Sequence, residues 1–134
     1  MNLLDVQTRL STLSVPVLLP EEREVPLAGR KPGQPGGVSA YLQAHPTGYV
    51  QLYDASGLLS NTLLDTGFMR LEVVAPTRVA AEGLSNQART LLGGTSISPT
   101  PYRVYIPPET KVQDGLVRVV TTYQTSSIGA QYVY

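Results

Sequence analysis

The side chains of this 134-residue sequence that could do chemistry are few and scattered. His45 is the only histidine and sits between Ala44 and Pro46. An imidazole base needs a nucleophile on one side and an orienting group on the other, both on rigid elements. A position beside a proline predicts a solvated loop residue instead. Glu21, Glu22 and Glu24 form an acidic cluster interrupted by Arg23. A hard cation would require convergent oxygens from a tightly turned loop, so the cluster reads as a solvated charge run. Asp54 and Asp65 flank a hairpin connection, where aspartate is a common turn former. "GGVSA" and "LLGGTS" are glycine-rich but lack the strand–loop–helix context and the lysine of a phosphate cradle. With no cysteine, thiolate chemistry, disulfides and cysteine-based metal sites are excluded. The expectation is a protein without a catalytic residue, a bound cofactor or a metal.

Charge excludes further classes. Ten basic and ten acidic side chains cancel, leaving no electrostatic footprint for nucleic acid or an acidic membrane surface. The same neutrality removes the repulsion that keeps copies apart. "MNLLDVQTRLSTL" carries Asp5 and Arg9 within its apolar run, which does not fit a signal peptide. No stretch approaches the ~20 apolar residues of a membrane span, and the chain is expected to be soluble and made in the cytoplasm.

The elements that would position any site follow from hydrophobic spacing. Leu3, Val6, Leu10 and Leu13 recur at three and four residues, predicting an N-terminal helix over residues 1–13. Residues 14–48 hold six prolines, Pro16, Pro20, Pro26, Pro32, Pro35 and Pro46. This segment reads as a Pro/Gly-rich arm, with "GRKPGQPGG" as an exposed linker and one short strand in "VPVLLP". Residues 49–134 read as an α+β core. Tyr49–Tyr53 and Phe68–Val74 alternate as strands, Arg70 and Glu72 facing away from Met69, Leu71 and Val73. "APTRVAAEGLSNQARTLLGG" is the clearest helix, starting at Pro76 or Thr77 and ending at Gly93–Gly94, with Ala80, Ala81, Leu84, Ala88, Leu91 and Leu92 on its stripe. A strand over 102–106 is expected to stop at Pro107–Pro108, and residues 116–125 form the last one. The predicted architecture is one domain, a mostly antiparallel twisted sheet with helices packed on one face.

What remains is surface suited to partners. The connection between the first two core strands carries Leu58, Leu59, Leu63 and Leu64, where a surface loop should be polar. The tail "SSIGAQYVY" has no charged side chain and ends in Tyr132 and Tyr134. There are eight tyrosines in all, against one phenylalanine and no tryptophan, and tyrosine is enriched at interfaces. A monomer does not leave that much apolar surface in contiguous patches. The six residues Leu58, Leu59, Leu63, Leu64, Tyr132 and Tyr134 are the candidate assembly interface.

The run "YVQLYDASGLLSNTLLDTGFMRLEVVAPTRVAAEGLSNQARTLLGG", with the ending "PYRVYIPPETKVQDGLVRVVTTYQTSSIGA", resembles tail terminator proteins of long-tailed bacteriophages, those of actinobacterial phages most. The likeness lies in element order and spacing: a strand, a hairpin loop, Asp65, an alternating strand, a small-residue turn, an Ala/Leu-rich helix, a proline-bearing loop and a long final strand. The arm over 21–46 departs from the family habit. The resemblance implies an α+β fold and a ring, typically of six copies, at the head-proximal end of the tail tube. Such a ring stops tube polymerisation and offers a surface for head attachment. Its partners would be further copies of itself, the tail tube protein and the head–tail connector or stopper. DNA would only pass through the lumen, and the protein would reside in the virion. Arg70, Arg78, Arg89, Arg103 and Arg118 are the basic residues on structured elements that could face it. Alternatives are a head completion or stopper protein at the same junction, a minor tail subunit, and a cytosolic binding module. A small hydrolase, which would need His45 or the glutamate cluster in a pocket, comes last.

Overall fold

The computed structural model describes residues 3–23, 26, 37–54, 66–93, 102–113 and 115–126. Its elements run α1 (Leu3–Arg9), β1 (Val17–Leu18), a 3₁₀ turn (Pro20–Glu22), α2 (Gly37–Ala44), β2 (Tyr49–Asp54), β3 (Thr66–Ala75), α3 (Arg78–Gly93), β4 (Tyr102–Gln113) and β5 (Leu116–Ser126). The five strands form one α+β sheet in the order β1-β2-β3-β5-β4. Only the β1–β2 pair is parallel, and the other pairs are antiparallel.

Alternation along the central strands builds two unequal faces. Val50, Leu52, Met69, Leu71, Val73, Ala75, Val117, Val119 and Tyr123 face the larger core, and α1 and α3 cover them. Thr77 caps α3, its Oγ1 accepting from the Ala80 N–H at 3.2 Å, and Ala81, Leu84, Ala88 and Leu92 lie buried against the sheet. Small alanines on that stripe let the helix approach closely. The N-terminal helix is shorter than its spacing predicts: it ends at Arg9, and Leu10–Leu13 continue as turns held by Leu10 N–H to Val6 C=O and Leu13 N–H to Leu10 C=O, both 3.0 Å. Leu10 and Leu13 are buried all the same, so the apolar spacing served the core after the helix stopped.

Three expectations need correction. Helices are not confined to one face. On the other side Val38, Tyr41 and Leu42 of α2 pack with Leu18, Tyr49, Val74 and Leu116. The arm does contain a helix, because Gly37–Ala44 is a proline-free window between Pro35 and Pro46. Nor does the fourth strand end at Pro107–Pro108. β4 runs on to Gln113, with register shifts between Val104 and Ile106 and between Ile106 and Glu109. Proline is excluded from central strands but tolerated at an edge or a bulge, where no ladder hydrogen bond is lost.

The arm is fastened to the sheet at several points. β1 pairs with β2, the expected short strand, and Val15 and Leu19 join the main core. The 3₁₀ turn is capped by Glu22, whose carboxylate accepts from the Leu19 N–H at 3.0 Å. Gln51, buried on the second face, donates from Nε2 to the C=O of Leu19 at 2.9 Å and of Leu52 at 3.1 Å. The chain then enters β2 through Gly48, whose φ of 104° places the position of an added Cβ 2.5 Å from the Val74 carbonyl oxygen. Only glycine fits that approach.

Candidate assembly surface

Among the described residues, those that could do chemistry do not converge. His45 follows α2, its ring 4.5 Å from that of Tyr41. Glu22 is occupied as a cap. Glu72 is 8 % exposed and bound to the Arg118 guanidinium, so this buried carboxylate has a charged partner. Among the described residues no three His, Cys, Asp or Glu side chains are grouped so as to hold a metal ion. Among the described residues two surface grooves can be named. One of about 360 Å³ lies between the turn after α1 and α3, lined by Leu13, Asn86, Gln87 and Thr90. The other, about 250 Å³, lies between α3 and β4 beside Glu82, which Arg78 pairs at 2.8 Å. Neither gathers a nucleophile and a base.

One polar triplet among the described residues joins α1 to β4. Tyr102, buried at the start of β4, donates its hydroxyl to Asp5 Oδ2 at 2.5 Å, and Arg9 Nε reaches the same oxygen at 2.8 Å. The Arg9 guanidinium also stands 5.6 Å from the Tyr102 ring centroid. The hydrogen bond from Tyr102, aided by Arg9, holds the Asp5 carboxyl below its ordinary range. Burial and the Asp5 charge push the Tyr102 phenol up. This triplet fastens α1 to β4. Burial likewise pushes Tyr49 and Tyr123 up to about 12, marking them as core tyrosines.

Exposed apolar side chains and the attachment points of the candidate interface segments lie at one end of the sheet. β2 ends there at Asp54, β3 begins at Thr66 opposite Ser126, and β4 begins at Tyr102 opposite Thr125. The leucine-bearing connection and the aromatic tail are therefore both attached at this end. Leu58, Leu59, Leu63, Leu64, Asp65, Tyr132 and Tyr134 themselves lie outside the described residues. Beside their attachment points the first half of β4 exposes Val104 (39 %), Tyr105 (47 %) and Ile106 (47 %). Tyr105 meets the buried Phe68 edge to face, ring centroids 4.9 Å apart. On the same face Arg70 stacks 4.6 Å over Tyr53, so this arginine is engaged with a ring. Arg78 and Arg118 are likewise engaged, with Glu82 and Glu72.

Sequence reading missed the β4 surface, although two signals were present. "VYI" lacks the apolar–polar alternation of a half-buried strand, and "QDGL" carries the Asp-Gly pair typical of a two-residue hairpin turn. Gly115 does take a left-handed φ of 75°, and Gln113 pairs with Leu116 across it. Among the described residues no helix is long and apolar enough to cross a membrane. No family model matches the chain, and no curated protein matches it.

Proposed function

We propose that this chain is a structural subunit of a long-tailed bacteriophage particle, a tail terminator. In this reading it forms a ring, of six copies, at the head-proximal end of the tail tube. The ring stops tube growth and presents the surface to which the head attaches. The protein does no chemistry of its own. It sits in the virion, touches the tube protein and the connector, and lets DNA pass without reading it.

The observation that supports this reading is the convergence at one end of the sheet. Exposed Val104, Tyr105 and Ile106 lie where the leucine-rich connection and the uncharged tail are attached. Apolar surface gathered in one place on a neutral domain favours burial against another chain. The element order and spacing described above supply the particular assembly.

Deleting the gene in the producing system and measuring tails by electron microscopy tests the proposal. Tails of scattered, often excessive length, unattached to heads, are expected. Tails of normal length beside leaky or tailless heads would move the protein to the head side as a stopper. Intact infectious particles would overturn the virion role.

A further inference from the structure

The second half of β4 borders no second strand among the described residues. Across the hairpin Gln113 pairs with Leu116, Lys111 with Arg118 and Glu109 with Val120. In a two-residue hairpin the closing pair exchanges both backbone hydrogen bonds, and inward and outward pairs then alternate. Gln113, Lys111 and Glu109 thus direct N–H and C=O toward β5, while Thr110 and Val112 direct theirs away from the sheet. No described strand lies on that side, since β4 ends the strand order. Val112 is 67 % exposed.

We infer that this edge pairs with the same edge of a second copy, antiparallel, about a two-fold axis at Thr110. The side chains select that register. With Thr110 opposite itself, Glu109 of each copy faces Lys111 of the other on one face of the joined sheet. On the opposite face Val112 comes level with the bulge at Pro107–Pro108, where the regular ladder ends. An axis at Glu109 or at Lys111 sets like charges against each other, and an axis at Val112 leaves both charges without a counterpart. Pro107 and Pro108 end the ladder, because proline donates no N–H.

Symmetry argues for the second copy's β4 rather than its other sheet edge. β1 has only two residues, and its outer Val17 carbonyl already accepts from Gln7 Nε2 at 2.8 Å. A head-to-tail β4–β1 pairing finds little free backbone there. A two-fold contact closes on itself, so it is distinct from any seam that runs around a ring. It joins free subunits, or two rings back to back, and stands whether or not the terminator reading does.

Sedimentation equilibrium over a concentration series tests the inference on the full chain. A particle of twice the 14.4 kDa chain mass, or an even multiple of it, is expected. K111E, which sets Glu109 against a glutamate twice, should weaken the two-fold association about tenfold or more. The charge swap E109K/K111E should restore it, with circular dichroism unchanged in both variants. The chain has no cysteine and only two lysines, so zero-length carboxylate–amine coupling in mixtures of isotopically light and heavy chains reads the contact directly. Coupling of Glu109 to Lys111 between light and heavy chains is expected. A chain monomeric throughout the series, or association indifferent to K111E, overturns the two-fold pairing. A six-fold particle indifferent to K111E does so too while leaving the ring standing.

Discussion

The two edges of the sheet solve the same problem in opposite ways. At one edge β1 is two residues long and buried under its own chain: Gln7 takes the Val17 carbonyl, Gln51 takes that of Leu19, and Leu18 packs beneath α2. At the other edge β4 is twelve residues long and mostly exposed, with Val104, Tyr105, Ile106 and Val112 facing water. An unpaired edge invites another strand, and proteins usually blunt it with charge, proline or bulges. β4 has all three, yet leaves Thr110 and Val112 regular and open beyond them. The covered edge is tied into the fold by its own chain, whereas the open edge is where we propose that a second copy docks.

Truncating the covered edge should hurt the fold most. Leu18→Ala removes a side chain only 6 % exposed and should lower unfolding free energy by about 2–5 kcal/mol, read from denaturant titration. A loss below that range would mean β1 is merely laid on the sheet. Gln51→Leu keeps the bulk but strips the Leu19 carbonyl of its donor. It should cost about 1–3 kcal/mol, the penalty of an orphaned buried acceptor.

A smaller effect sharpens the link between the edges. Asp5, on α1, holds Tyr102 at the start of β4. Because its folded-state pKa is lowered from 3.8, its contribution is fully present above about pH 4 and is lost as pH falls through the folded value. Stability of the parent chain should therefore fall below pH 4 more steeply than that of Asp5→Asn, which lacks this titration. Parallel acid profiles would show that the triplet does not bind α1 to β4. The carboxylate is partly exposed, so solvent screens the effect to a modest size.

How much of this was legible in the sequence follows the same division. β2, β3, α3 and β5 were readable because each carries a full period of apolar residues on one face and ends in a clear stop, as Gly93 does for α3. β1 was readable as a short strand, but its fastening was not. Gln7, Glu22 and Gln51 are ordinary polar residues until the fold brings them to the carbonyl and N–H groups they satisfy. α2 was hidden by the prolines around it, since composition over 14–48 masked one proline-free window. β4 was cut short by treating Pro107–Pro108 as a stop, a rule that holds only inside a sheet. The exposure at 104–106 was not legible because the spacing gives a strand there without saying that it lies at the sheet's edge.

The claim that this end of the sheet serves tail assembly is tested most directly by a variant that leaves the core alone. Replacing Val104, Tyr105 and Ile106 together with serine removes exposed apolar groups. These residues are half-exposed and Tyr105 also loses its edge contact with Phe68, so the triple variant should cost about 1–3 kcal/mol in all. Tail lengths would then be measured by electron microscopy on particles made with the variant. Over-long tails of scattered length, detached from heads, with a folded subunit by circular dichroism, are the predicted result. Tails of normal length joined to heads would contradict it.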